Sequence, residues 1–434
     1  MKLQRIKRSS GWLIIVALSL LPLLFWATMK PITLRFETPT YTLTSIGQIF
    51  GLIGMALFAL TLVLGTRHPI LEQFFDGINK AYVAHHRLGA ITFSLLLFHP
   101  IVIALKIALV ASTRDAALFL LSTDPDILWG TAALLSMILF LILTFFISFA
   151  YHKWRLTHQF LSVSFVLASI HTLVIYSDTQ NSAGLYWLMA TFIAIGVVAI
   201  CYRTLAPKFF VPHIEYIVDE VRTLDKNTVS IYMVPAYRPI AYRPGQFVFI
   251  SFEDEKVGKE SHPFSLISTP DEPRLAIAIK TLGDHTGKFK LIAKNTVAQI
   301  EGPFGTFLYD HFAGKNQIWI AGGIGITPFI GMAKSVTDSS YHITIYYCVT
   351  NKAEAVFLDE LLTIEQGNPS IRIVPYCSST QGHISAATLQ MDEDIHSKEI
   401  LICGPQPMMH SLTRQLIEKG TKKSHIHTEE FGFR

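Results

Sequence analysis

The chain has 434 residues, 50% of them hydrophobic and only 16% charged, against about a quarter charged in soluble globular proteins. Residues 1–210 hold 7 of the 32 acids and 15 of the 36 basic residues, so a basic apolar half (+8) is joined to a slightly acidic one (−4). These figures exclude a single soluble domain, a disordered chain and a collagen-like one, and the net charge of +4 gives no reason to expect a nucleic-acid partner.

Six apolar stretches long enough to cross a bilayer core fall near residues 11–29, 43–65, 84–110, 127–150, 156–177 and 184–204. The first follows Lys2, Arg5, Lys7 and Arg8 and ends Ala27-Thr28-Met29-Lys30 without a small-x-small cleavage site, so it reads as an uncleaved anchor rather than a signal peptide. With the N-terminus inside, eleven of the fifteen Lys and Arg residues lie at cytoplasmic ends, and only Lys30, Arg35, Lys106 and Arg114 lie outside. A multi-pass protein of the cell (inner) membrane with both termini cytoplasmic is therefore expected. The outer loops carry Glu37, Asp115, Asp124, Asp126 and Asp178.

Ionisable groups at membrane depth are costly and point to function. The third span contains His85 and His99, 14 residues apart, which leaves them about 40° from alignment on one helix face and roughly 21 Å apart. The fifth contains His158 and His171, 13 apart or roughly 19.5 Å. Both helices start in the cytoplasm, so His85 lies level with His158 and His99 with His171. Two depths of paired imidazoles suit two bis-histidine b-type haems, inner and outer, each iron having no open position. A tetrahedral zinc site needs its ligands at one point and fits less well. His86 is the alternative to His85, and His68 and His152 read as interfacial. The 13-residue spacing puts His158 and His171 about 140° apart on an ideal helix, so the fifth span must bend, with Ser162, Ser164 and Ser169 as the residues permitting it. Arg87 and Arg155 are either propionate partners or positive-inside anchors.

After a linker marked by Pro207 and Pro212, β-branched and aromatic runs at Thr228–Val234, Gln246–Ile250 and Leu275–Lys280 predict an antiparallel β-barrel. From about residue 316, strands at Ile318–Ala321, Ile343–Tyr347, Ile371–Val374 and Ile400–Cys403 predict a parallel α/β sheet. The first of these runs into Gly322-Gly323-Ile324-Gly325-Ile326-Thr327-Pro328. Closely spaced glycines admit a pyrophosphate to backbone amides, and Pro328 suits the first turn of a helix whose N-terminus faces it; an ordinary tight turn is the competing reading. Cys201, Cys348, Cys377 and Cys403 form no Cys-x-x-Cys pair, and three of them in the second half suit a reducing cytosol.

His262-Pro263-Phe264-Ser265, Gly283-Asp284-His285-Thr286, Gly302-Pro303-Phe304-Gly305, the Gly322–Pro328 segment, Cys403-Gly404-Pro405 and the terminal Glu430-Phe431-Gly432-Phe433 follow the order of ferredoxin-NADP reductase-like dehydrogenases. Behind a six-helix segment with two histidine pairs, the chain resembles the NADPH oxidase and ferric reductase superfamily in a compact bacterial form. The resemblance implies a six-span bundle with two haems over 1–210, an FAD-binding β-barrel over 211–312 and an NAD(P)-binding α/β domain over 313–434. It implies FAD contacts from His262, Pro263, Phe264, Ser265, Lys280, Gly283 and Thr286. Phe264 would pack on the flavin, Ser265 would bond near its N5, and Phe431, better placed than Phe433, would cover the ring. It implies nucleotide contacts from Gly322, Gly323, Gly325, Thr327 and Pro328, with Cys403, Gly404 and Pro405 beside the nicotinamide. Lys352, where no acid stands to hold a ribose diol, favours NADPH over NADH.

A nicotinamide gives up a hydride and a haem iron takes one electron, so a flavin must convert between them. The expected activity is a transmembrane NAD(P)H oxidase delivering electrons through FAD and the two haems to dioxygen outside as superoxide. A ferric-chelate reductase and a module supplying electrons to an extracellular or periplasmic protein are the alternatives. No obligatory protein partner is expected.

Overall fold

The structure, a computed structural model, describes residues 10–149, 151–254, 256–258, 260–281, 286–392 and 394–430. Its contacts divide the chain into two units, Met1–Val211 and Pro212–Arg434.

In the first unit, six helices among the described residues are long and apolar enough to cross a membrane. They are α1 (Ser10–Met29), α2 (Pro39–Leu64), α3 (Ile78–Val110), α4 (Pro125–Phe145), the α5–α6 pair (Tyr151–Gln159 and Leu161–Val174) and α7 (Ala183–Ile200), which runs on as a π-helical turn, Cys201–Leu205. Thr38, Asp124 and Ser182 cap the N-termini of α2, α4 and α7 with side-chain oxygens, satisfying amides that lipid cannot. α2 packs along α3, and α4 along α6.

The expected bend in the fifth span is an interruption at Phe160. There Ser162 Oγ donates to the Gln159 carbonyl at 2.7 Å, competing with the backbone as serine does. Ser164 instead meets Ser136 at 2.9 Å and Ser169 bonds back to the Phe165 carbonyl, so the break sits before the serines and only Ser162 takes part in it.

A buried ion pair ties the α1–α2 connection to the α6–α7 turn. Arg35 lies 2.9 Å from Asp178, with side chains 3% and 10% exposed. The guanidinium also donates to Gln48 and to the Trp26 carbonyl and covers the Trp26 ring at 3.7 Å.

In the second unit a six-stranded antiparallel sheet has the order β4-β3-β6-β1-β2-β5. The strands are β1 (Ile214–Thr223), β2 (Thr228–Pro235), β3 (Phe247–Phe252), β4 (His262–Ser265), β5 (Leu275–Lys280) and β6 (Val297–Phe304). A bridge from Leu266 to Ile277 brings its two ends together, a near-barrel around Val218, Ile231, Val248, Ile277 and Ile300. A parallel sheet follows: β7 (Asn316–Gly322), β8 (His342–Val349), β9 (Ile371–Cys377), β10 (Glu399–Cys403) and β11 (Ile426–Glu429), in the order β11-β10-β7-β8-β9. Helices α8 (Thr327–Ser335), α9 (Leu358–Gly367) and α10 (Gln406–Glu418) accompany it. The order reverses between β7 and β10, and open α/β sheets bind ligands at the carboxyl side of such a reversal. Strands β1, β4, β6 and β11 add to the sequence-level reading.

Candidate functional site

Two tiers of facing imidazoles lie in the helical unit. His85 and His158 have ring centroids 5.9 Å apart, and His99 and His171 6.4 Å apart. His86 is exposed on its helix, so His85 is the residue that faces His158.

Three of the four rings are held in the same way. Each donates from Nδ1 to a backbone carbonyl: His85 to Thr61 at 2.9 Å, His99 to Gly47 at 2.8 Å and His171 to Asp126 at 2.7 Å. One helical turn beyond each acceptor stands a glycine against the same ring. A Cβ on Gly65 would come within 3.5 Å of His85, on Gly51 within 3.3 Å of His99 and on Gly130 within 2.9 Å of His171. Because α2 and α3 run antiparallel, acceptors Gly47 and Thr61 are spaced by the same fourteen residues as their histidines. The carbonyl fixes the tautomer and leaves Nε2 to face the opposite ring.

The geometry fits a metal between each pair, since two nitrogens about 2 Å from one ion hold their ring centroids about 6 Å apart. Among the described residues no group of three or more His, Cys, Asp or Glu side chains gathers at one point. Two imidazoles per tier is the donor set for an iron whose remaining ligands come from a haem macrocycle. A cavity of about 460 Å³ adjoins the second tier, lined by His99 and His171, by Gly51 and Gly130, and by Leu52, Met55, Phe58 and Met137; Trp26, Gln48 and Asp178 also line it. An apolar pocket with few polar groups is what a large planar cofactor requires. Arg87 is exposed and Arg155 half-buried.

In the second unit, β4 carries the expected flavin motif. Successive strand residues face opposite sides, and Phe264 turns into the barrel core, its ring 5.7 Å from Phe289 and edge-on to it. Phe264 is thus part of the buried barrel cluster. Ser265 faces the other way, and its Oγ is buried without a hydrogen-bond partner among the described residues. Buried hydroxyls are normally satisfied, so an acceptor or donor supplied by a bound flavin fits this position. His262 lies half-buried, 3.5 Å from Glu260, with Pro263 beside it. Lys280, at the end of β5, pairs with Glu354 at 3.6 Å. Thr286 opens a 3-10 segment, Thr286–Leu291. Gly283 and Phe431 lie outside the described residues.

The glycines after β7 divide their work. Gly323 has φ +55°, and a Cβ there would meet nothing within 4 Å, whereas a Cβ on Gly325 would meet the Cys403 carbonyl at 2.4 Å and one on Gly404 the Gly322 backbone at 3.0 Å. Gly322, Gly325 and Gly404 therefore let the carboxyl ends of β7 and β10 close on each other, and Gly323 presents open backbone. Gly322 also sits against Pro405, where a Cβ would lie 2.8 Å from the proline Cδ. Thr327 is buried and donates to the Ile324 carbonyl at 3.0 Å, and Pro328 occupies the first turn of α8. Lys352 is exposed, in a short turn after β8. Cys403 is fully buried in the sheet core; burial, and then the charge of Glu429, push its thiol well above the ordinary range.

Residue types alone did not reveal the backbone acceptors, the three glycines backing the rings, Trp154 stacked on His158 at 5.6 Å, or the Arg35–Asp178 pair. The glycines at 51 and 65 repeat the histidine spacing, which is the one signal for them in the sequence.

Comparison with known proteins matches three family models along the chain. They are a ferric reductase like transmembrane component over residues 50–169, an FAD-binding domain over 214–319 and an oxidoreductase NAD-binding domain over 319–414. Flavohemoprotein A of Dictyostelium discoideum is 28% identical over 242 residues, covering 50% of this chain and 60% of that protein. The ferredoxin reductase component of 3-ketosteroid-9-alpha-monooxygenase from Rhodococcus rhodochrous is 28% identical over 203 residues, covering 44% and 56%. The match thus spans less than two thirds of either relative's length. Among solved structures, flavohemoglobin from Malassezia yamatoensis is 17% identical with a TM-score of 0.48, covering 90% of this chain and 97% of that one.

Proposed function

Since the chain has the architecture of the NADPH oxidase and ferric reductase superfamily, a ferric reductase-like membrane domain followed by FAD- and NAD-binding oxidoreductase domains, we propose that it is a transmembrane NAD(P)H oxidase that reduces dioxygen to superoxide. Both termini lie in the cytoplasm of a cell whose inner membrane it spans, and each nucleotide oxidised gives two electrons and so two superoxide ions. When bound, FAD divides a hydride into single electrons and haem b carries them one at a time.

The observation that carries this reading is the pair of imidazole tiers. His85 and His158 would hold the inner haem and His99 and His171 the outer one, each tier offering two imidazoles to an iron, a donor set that suits electron transfer. Gly323 opens the backbone to the nucleotide phosphates at the sheet reversal, and Lys352 offers a cation to a 2′-phosphate, favouring NADPH. Ser265 offers the one hydroxyl of β4 to the flavin. No general base is needed, because hydride leaves with its own electrons.

A ferric-chelate reductase is the second reading, favoured by the match of the membrane half to a ferric reductase like component and by the exposed Asp115 and Asp124 beyond α3, which attract cationic metal species. The test is turnover of the purified full chain with NADPH. Oxygen uptake with dye reduction sensitive to superoxide dismutase supports the oxidase. Turnover only on adding ferric chelate replaces it with the reductase. Absence of a low-spin b-type spectrum removes the haem assignment altogether.

A further inference from the structure

His158 stands apart from the other three paired histidines. Its Nδ1 is buried and makes no hydrogen bond among the described residues, whereas His85, His99 and His171 each donate to a carbonyl. Among the described residues no glycine backs its ring. The break at Phe160 separates the short helix that carries His158 from the one that carries His171.

In place of that support His158 has Trp154, four residues earlier on α5 and so on the same helix face. The two rings are stacked, centroids 5.6 Å apart and 6° from parallel. Trp154 is itself fixed, since its indole Nε1 donates at 3.1 Å to the carbonyl of Thr144 in the last turn of α4. A carbonyl at a helix C-terminus is a free acceptor, and this one holds the tryptophan rather than the histidine.

A ligand imidazole that donates from Nδ1 is both oriented and made more basic, and losing that partner commonly lowers metal affinity by roughly 10–100-fold. We infer that the two tiers are unequal: His158 is the most weakly held axial ligand, Trp154 is the residue that positions it, and the tier of His85 and His158 is where an exogenous ligand enters. This rests on the haem reading of the tiers proposed above.

Carbon monoxide added to the dithionite-reduced full-chain protein is the probe. In the wild type, half of the haem should bind it at a concentration at least tenfold below that needed by the other half, by roughly the factor that a lost outer partner carries. His158→Ala, which vacates the position that carbon monoxide takes, should move the sensitive half to a still lower concentration and leave the other half unchanged, whereas His171→Ala should shift only the less sensitive half. Trp154→Ala should convert one of the two haems from low spin to high spin in the electron paramagnetic resonance spectrum, and Trp154→Phe, which keeps a stacking ring, should restore the low-spin signal. A single carbon monoxide phase in the wild type overturns the inference, as does a sensitive half that His158→Ala leaves unmoved. A Trp154→Phe spectrum as altered as that of Trp154→Ala removes the positioning role. A protein with no b-type haem fails at the earlier step, and the spectrum before carbon monoxide is added tells the two failures apart.

Discussion

His99 donates from Nδ1 to the carbonyl of Gly47 across 2.8 Å, although 52 residues separate them. The contact exists because Gly51, one turn on, has no side chain to keep the ring away from α2. Gly65 and Gly130 stand in the same relation to His85 and His171.

A graded series follows from these clearances. Gly130→Ala places a Cβ 2.9 Å from His171, Gly51→Ala one 3.3 Å from His99 and Gly65→Ala one 3.5 Å from His85. Overpacking of this kind costs about 1–3 kcal/mol, so haem content should fall most for Gly130→Ala, less for Gly51→Ala and hardly at all for Gly65→Ala. Haem per polypeptide, measured on pyridine extracts, checks the order; a reversed ranking would contradict the ring-backing role.

Asp178→Ala leaves Arg35 with its charge buried and its main partner gone, a change worth about 3–5 kcal/mol. Asp178→Asn retains an acceptor oxygen and should lose clearly less. Thermal unfolding of the detergent-solubilised protein separates the two, and equal losses would mean that the ion pair does not hold the connection in place.

Ser265→Ala removes a hydroxyl that no group among the described residues satisfies, so the unfolding temperature should be unchanged. Reduction of bound flavin by NADPH should slow by roughly 10–100-fold, the equivalent of about 1.5–3 kcal/mol for a hydrogen bond to a charged group. Rapid-mixing absorbance at the flavin band measures it. An unaltered rate would show that the hydroxyl does not reach the reacting ring.

Burial raises the thiols of Cys348 and Cys403, the first to about 12 and the second, with Glu429 beside it, well above the ordinary value. A raised thiol keeps its proton as pH climbs, and the thiolate is the nucleophile. Near the ordinary thiol value of about 8.5, iodoacetamide should therefore leave both unmodified in the native full chain and label them in denaturant. Peptide mass mapping reads the outcome, and native labelling of Cys403 would contradict its place in the core.

Much of this was legible in the residues. Span number follows from apolar length, and the His85–His99 face follows from the helical repeat. The near-barrel and parallel sheet follow from β-branched runs and the glycine-rich turn after β7. The rest depends on contacts that side-chain identity does not encode. Backbone acceptors such as Thr61 and Gly47 look like any other peptide until two helices set their register. The position of the break at Phe160 depends on which serine takes a backbone carbonyl. Phe264 and Ser265 are adjacent in the motif, and strand alternation sends only Ser265 away from the barrel core.

The matched fourteen-residue spacings on α2 and α3 make the interval between tiers a property of peptide geometry. His85 and His99 are separated by an uninterrupted stretch of α3, with Pro100 just beyond the second of them, so the interval is set at about 1.5 Å per residue. A thinner or thicker bilayer can tilt this bundle, but it cannot stretch that interval. The spacing between the two imidazole tiers is thereby insulated from the lipid in which the protein resides.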